Sequence, residues 1–186
     1  MLEDIYSLLE HGSIRLLELL PKKDDPEQLR AKLREYPLRN IEDLSHPYEA
    51  LSYVWGSENK PRYIVIGDQK LNITQNLYTA LQHLQHHSYS RILWIDAICI
   101  DQTNLKDKEH QIPFMAEIYA KARCVLVWLG GPEDDGDRAL EAICLAGESS
   151  PGLLQEQSIQ ESILKLLQRP WFQRIWVRNE NVGEQW

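Results

Sequence analysis

LWIDAICIDQTN, residues Leu93 to Asn104, places Asp96 inside an apolar run that closes in a polar cluster of Asp101, Gln102 and Asn104. A carboxylate among Trp, Ile and Cys must be paired, hydrogen-bonded or protonated, and that cost is commonly tolerated where function requires it. Nine residues of this kind, Ile92 to Ile100, read as a buried strand. Upstream, Leu77, Ala80, Leu81 and Leu84 recur at helical spacing, with Thr74 or Asn76 placed to cap the helix. Downstream, Lys108 to Ala122 reads as a second helix with Ile112, Met115, Ile118 and Tyr119 on one face, and Cys124 to Leu129 as a short buried strand closed by Gly130-Gly131-Pro132. Strand, helix, strand in that order, with near-continuous apolar strands, predicts an α/β fold with a mostly parallel central sheet flanked by helices.

Working outward, Tyr48 to Trp55 reads as a strand stopped by Gly56, and Arg62 to Ile73 as a hairpin turning at Gly67-Asp68. Ile14 to Leu20 is expected to be a further strand, and Ala31 to Leu38 an edge strand, because Pro37 is best tolerated where no ladder bond is needed. These add an N-terminal hairpin or edge strands to the sheet. Two more helices are expected at Asp137 to Ala146 and Ser158 to Leu167, separated by Ser149-Ser150-Pro151-Gly152.

The bulk numbers narrow the function classes. The 186 residues, 43% hydrophobic and 26% charged, suit one domain over residues 1–186, with 1–13 as an N-terminal extension and 178–186 as an atypical end. Twenty Lys and Arg against 28 Asp and Glu give a formal charge of -8, which disfavours nucleic acid or an anionic membrane as partner. Three cysteines, two of them in apolar runs, do not make a disulfide framework, and no stretch approaches a membrane span. A cytoplasmic protein is expected.

In parallel sheets ligands bind beyond the carboxyl ends of the strands, so the residues following each apolar run are the candidates. They are Ser52, Tyr53, Trp55 and Gly56, then Asp101, Gln102 and Asn104, then Gly130 and Gly131, with Asp96 as a ligand contact or a network acceptor. His83, His86 and His87 have metal-sharing spacing but lie opposite Leu77, Leu81 and Leu84 without a local Cys or carboxylate, so no metal site is assigned. Cys99, inside an apolar run, is a poor nucleophile. A helix from Pro170 would set Phe172 and Trp176 on one face and Glu180 one turn further, where a carboxylate beside an indole suits stabilisation of a sugar-like cation.

YEALSYVWG (48–56), LWIDAICIDQTN followed by Gln111, Met115, Ile118-Tyr119 and Ala122, VLVWLG (125–130) and RPWFQRIWV (169–177) together resemble the ordered motifs of the fungal heterokaryon-incompatibility (HET) domain, over about Ile14 to Val177. The resemblance implies a self/non-self recognition protein whose domain triggers cell death. HET domains are in turn similar to TIR domains, which implies a flavodoxin-like sheet and cleavage of NAD at the nicotinamide-ribose bond, NAD being substrate and not cofactor. On that likeness Leu51 to Tyr53 resembles the end of the first TIR strand. Trp176 with Glu180 resembles the TIR Trp-Cys-x-x-Glu pattern, Glu180 being catalytic and Trp176 substrate-binding. Val177 stands where that pattern has Cys, and Asn179 where the HET pattern has Gln.

Three functions follow. The first is an NAD-cleaving effector. The second is a non-enzymatic module that self-associates or joins a sensor protein, in keeping with the small acidic chain and its lack of a catalytic triad. The third is another α/β hydrolase holding a divalent cation between Asp96 and Asp101.

Overall fold

The computed structural model describes residues 5–22, 28–38, 48–131, 136–148 and 156–173. It divides into two compact units, Met1–Trp128 and Leu129–Trp186.

The first unit is built on seven strands among the described residues: β1 (Ser13–Leu19), β2 (Arg30–Pro37), β3 (Glu49–Tyr53), β4 (Arg62–Ile66), β5 (Gln69–Ile73), β6 (Arg91–Trp94) and β7 (Cys124–Trp128). Their order in the sheet is β5-β4-β2-β1-β6-β3-β7. β6, β3 and β7 are mutually parallel, as are β2 and β4, whereas β1 is antiparallel to both its neighbours and β5 to β4. Five strands therefore run one way, and only β1 and β5 oppose them. The fold is α/β as expected, but the sheet is mixed, because the N-terminal hairpin β1–β2 is spliced into its centre.

That insertion corrects the expectation that Ala31–Leu38 forms an edge strand. β2 lies between β1 and β4, and its pairing with β4 is confined to Arg30↔Val65 and Ala31↔Ile66. Pro37 costs no interior ladder bond, since it is the last residue of the strand, opposite Ser13. The β4–β5 hairpin turns where the sequence places it, with Ile66 paired to Gln69 across Gly67 at φ +61°, the left-handed conformation a two-residue turn demands.

Three further expectations change. The strand expected over Ile92–Ile100 stops at Trp94, and Asp96–Cys99 forms a helical turn, α2. The Ile95 carbonyl accepts from the amides of Ile98 (3.0 Å) and Cys99 (2.7 Å), while Asp96 Oδ1 accepts from the Ala97 amide (2.7 Å). An unbroken apolar pattern cannot reveal that turn, since both conformations bury Ile98, Cys99 and Ile100. The expected helix over Lys108–Ala122 is broken in two, α3 (Leu105–Gln111) and α4 (Met115–Lys121), joined by a 3₁₀ turn at Ile112–Phe114. Pro113 has no amide hydrogen to continue the ladder. α3 begins three residues early because Asn104 Oδ1 caps the amides of Lys106 and Asp107. The last strand, expected to be buried, is the sheet's edge, with Val125 and Val127 each 44% exposed and Cys124 also exposed.

The helix α1 (Gln75–Leu84) forms as expected, capped by Thr74 Oγ1 on the Leu77 amide and burying Leu77, Tyr78, Ala80 and Leu81. The core gathers Ile14, Leu16, Leu17 and Leu19 of β1, Leu51 and Tyr53 of β3, and Leu93 and Trp94 of β6. Each such side chain contributes roughly 1.5–3 kcal/mol by leaving water. α4 is tied to the sheet by Tyr48, whose hydroxyl donates to the Ile118 carbonyl at 2.7 Å.

In the second unit, α5 (Gly136–Glu148) and α6 (Gln157–Leu167) pack against each other, and Ala139, Ala142, Ile159, Ser162 and Leu166 are buried. Arg169 Nη1 donates to the Leu129 carbonyl at 3.4 Å, and its guanidinium fills the space a Cβ at Gly136 would need. A helical turn opens at Pro170, as the sequence suggests. Among the described residues no helix is long and apolar enough to cross a membrane.

At the amino end of β3, buried Glu49 accepts from Arg91 Nε (2.8 Å) and Nη2 (2.6 Å) and from Arg123 Nη2 (3.0 Å). Burial alone would raise this carboxyl, and the hydrogen bonds and charges of Arg91 and Arg123 outweigh it, holding it below its ordinary 4.5. The folded state then gives up its proton more readily than the unfolded one, so the stabilisation is complete above the ordinary value and fades as pH falls through the folded one. Urea midpoints measured from about pH 6 down to about pH 3 should fall more steeply for the natural chain than for Glu49→Gln. Parallel slopes would remove Glu49 as a source of acid sensitivity.

Candidate functional site

Of three parallel strands, β3 and β7 end paired at Tyr53 and Trp128, while β6 ends at Trp94 opposite Ala50, which sets the Asp96 turn alongside the last residues of β3. Beyond β3, Trp55 Nε1 donates to Asp96 Oδ2 at 3.0 Å. Asp96 Oδ1 is taken by the Ala97 amide, and the Asp96 carbonyl accepts from Gln102 Nε2 at 2.8 Å. The carboxylate that looked stranded in an apolar run is therefore half-buried at the mouth of α2, with both oxygens bonded.

A second link crosses the same strand ends. Asn76 Nδ2 donates to the Val54 carbonyl (2.6 Å) while Asn76 Oδ1 accepts from Trp128 Nε1 (2.8 Å), so one amide from α1 joins the ends of β3 and β7. The imidazole of His83 lies against the Trp128 indole, with ring centroids 5.0 Å apart. Trp55, Asp96 and Gln102 thus form one cluster, and Asn76, Trp128 and His83 its neighbour along the strand ends. Half-buried indoles beside amide and carboxylate groups offer a planar ring both a stacking face and hydrogen bonds.

The other sequence candidates fall elsewhere. Tyr53 is 6% exposed and belongs to the core, while Ser52 on the opposite strand face is half-buried. Asp101 and Asn104 lie on the β1 side of β6. Asp101 Oδ1 accepts from the amide (2.9 Å) and hydroxyl (2.7 Å) of Thr103, and Asn104 caps α3. Trp176 and Glu180 lie outside the described residues. Gly130 adopts φ +107°, a turn conformation that suits glycine.

Two groups escaped the sequence reading. Arg15, in the middle of β1, is 4% exposed, and its Nη1 donates to both oxygens of Asp107, at 2.8 and 3.0 Å, and to the Cys99 carbonyl at 3.2 Å. Asp107 Oδ2 also accepts from the Asp101 amide at 2.7 Å. A cation inside SIRLLEL carries the same signal as Asp96, a charge in a buried run, and the same test would have found it. Asn76 carried no such signal, because on a helix it reads as a cap.

The histidines have local partners: His83 Nδ1 contacts the Thr79 carbonyl at 2.9 Å, and His86 stacks on Tyr89 at 3.7 Å and takes the Ser88 amide at 3.0 Å. Cys99 is fully buried, its Sγ facing the Ile95 amide, and burial pushes its thiol up to about 12. It is a packing group.

A family model described as Heterokaryon incompatibility protein (HET) matches residues 48–180. Heterokaryon incompatibility protein 6, OR allele, of Neurospora crassa is 35% identical over 150 residues, 73% of this chain and 21% of that protein. The chain therefore spans about a fifth of the length of this curated relative. No solved structure matches the chain significantly.

Two outcomes follow from the geometry. Removing one partner of the buried pair, as in Asp107→Ala, should cost about 3–5 kcal/mol in urea unfolding, because it strands the Arg15 charge; a loss under about 1 kcal/mol would show the pair to be solvated. In thiol titration of the folded chain at neutral pH, Cys124 and Cys144 should react and Cys99 only on unfolding. Reaction of all three at one rate would contradict this packing.

Proposed function

The chain belongs to the heterokaryon-incompatibility (HET) family, and on that premise we propose that it is the effector domain of an incompatibility protein, triggering cell death by cleaving NAD at the nicotinamide-ribose bond. The observation that carries the reading is the Trp55–Asp96 hydrogen bond at the carboxyl ends of the parallel strands, flanked by Gln102 and by the Asn76–Trp128 pair. Open parallel sheets bind ligands at that edge. Bond cleavage at the anomeric carbon develops positive charge on the ribose, and a carboxylate stabilises it more in the transition state than in the ground state.

The roles divide accordingly. Trp55 offers an aromatic face, Asp96 orients that indole, and Gln102 braces the Asp96 turn. Glu180 is assigned stabilisation of the ribosyl cation, with Trp176 beside the sugar, both by the TIR likeness. Tyr53 contributes from the core by packing beneath the strand end and not by touching substrate. Ser52 remains a candidate for a ribose or phosphate contact, whereas Asp101 and Asn104 line the cavity on the β1 side of β6. The domain works in the cytoplasm, activated by self-association or by a sensor protein.

A second reading has its own support. β7 is an edge strand with Cys124, Val125 and Val127 exposed, and an unpaired apolar edge is a template for another strand. On this reading the domain signals by assembly and performs no chemistry.

Nicotinamide release from NAD separates the two. Purified protein, studied over a range of concentrations that includes its assembled state, should release nicotinamide, and Glu180→Ala should lower the rate by about a hundredfold or more. Asp96→Asn, whose single amide oxygen can accept from Trp55 or from the Ala97 amide but not from both, should lose activity mainly through KM, with thermal melting confirming the fold. Unchanged turnover in Glu180→Ala would remove Glu180 from the mechanism; cell killing undiminished in both variants would favour assembly alone.

A further inference from the structure

We propose that a cavity on the opposite side of β6 from the Trp55–Asp96 cluster binds a small molecule through an oxyanion, a phosphate or a carboxylate. The cavity, about 340 Å³ and open to solvent on one side, is lined by the N-terminal segment Tyr6–Leu9, by Arg15 of β1, and by Asp101, Asn104, Lys106, Asp107 and His110. Its volume sits at the lower end of the range for small-ligand sites. Tyr6 and Leu9 supply an apolar wall.

The hydrogen-bond bookkeeping of the walls favours an acceptor-rich guest. Both oxygens of Asp107 are consumed by Arg15 and by the Asp101 amide. Asp101 turns one oxygen to Thr103. Its other oxygen is left over as an acceptor, and the donors left over outnumber it. Arg15 Nε is buried without a partner among the described residues, although Nη1 and Nη2 are engaged. The Asn104 side chain uses its oxygen as a cap, which leaves its NH₂. Lys106 brings an ammonium to the exposed rim.

His110 adds a fourth donor by constraint. Gln111, fully buried, points the same Nε2 at the Ser13 carbonyl (3.0 Å) and at His110 Nδ1 (3.0 Å). The Ser13 carbonyl can only accept, so that Gln111 atom must be nitrogen and not oxygen, and His110 Nδ1 receives its second hydrogen. The neutral ring therefore carries its own proton on Nε2. Three of these donors, Asn104, Lys106 and His110, can reach a guest and suit oxygens bearing negative charge, while Arg15 Nε is closed off by burial and Lys106 supplies the cationic charge at the rim. Because the chain as a whole carries -8, its long-range field repels anions, so binding here requires the local donors and not bulk attraction.

The site needs neither Glu180 nor NAD cleavage, and its test is a binding measurement. The full chain would be titrated, at constant ionic strength, with inorganic phosphate in one series and acetate in another, following backbone amide shifts at Asn104, Lys106 and His110 by NMR. Saturable binding of one or both is expected, and the stronger anion identifies the headgroup. Lys106→Met should weaken it about tenfold. His110→Phe, which keeps the ring packed on Phe114, should weaken it by a similar factor, with thermal melting confirming the fold. Lys70→Met, on β5 at the far edge of the sheet, should leave it unchanged. Absence of saturation with either anion, or equal binding in Lys106→Met and His110→Phe, overturns the proposal.

Discussion

Burying the Arg15 guanidinium in the centre of the sheet is the constraint around which the first unit is arranged. A charge in that position costs several kcal/mol unless a counter-charge and hydrogen bonds meet it. Asp107 is the counter-charge, so α3 must lie across β1. The Cys99 carbonyl must face the guanidinium, which requires the chain after β6 to turn inward as α2. The Ser7 carbonyl accepts Nη2, and the Tyr6 ring lies 5.2 Å from the cation, which draws the N-terminal segment over the same point. One residue thereby places three pieces of chain. The preserved polarity also explains why β1 can be buried along almost its whole length and still hold a defined register, since a slip would carry Arg15 away from Asp107.

The two ends of the parallel strands use buried polarity differently. At the amino end, Glu49 is clamped by two arginines, and nothing in that arrangement is left to offer a ligand. At the carboxyl end, Asp96 is bonded but half-buried, and the Trp55 indole and the Ala97 amide are among its partners. A carboxylate clamped in the core fixes the fold where it sits, whereas a half-buried one keeps a face toward solvent.

Much of the fold was legible because hydrophobic period and turn chemistry are local. Leu77, Ala80 and Leu81 with Thr74 defined α1, and Gly67-Asp68 fixed the β4–β5 turn. What stayed hidden depended on contacts distant in sequence. Nothing near Ala31 says that β2 lies between β1 and β4, because both pairings are set by residues elsewhere. Ile95 to Cys99 has the same apolar content whether strand or helical turn, and the contacts that accompany the turn, Asp96 on the Ala97 amide and the Cys99 carbonyl on Arg15, include a partner 84 positions away. Pro113 was a readable breaker, outweighed by the good period on both sides of it. Of the site, Trp55, Asp96 and Gln102 were found and do converge, while Asp101 and Asn104 were found but face the Arg15 cavity. Burial of Tyr53 and exposure of Val125 and Val127 could not be read from strands whose neighbours were unknown.

The division between Gln102 and Asp101 shows how one short motif can serve two places. Gln102 turns back to the Asp96 carbonyl, toward β3, whereas the Asp101 amide is held by Asp107, toward β1. The segment is a turn closed by the Asn104 amide on the Asp101 carbonyl, and it sends Gln102 back toward Asp96 while Asp101 stays beside Asp107. Its two halves are joined through one peptide: the Asp101 amide is held by Asp107 and the neighbouring Gln102 side chain by the Asp96 carbonyl, so consecutive residues anchor the two sides of β6.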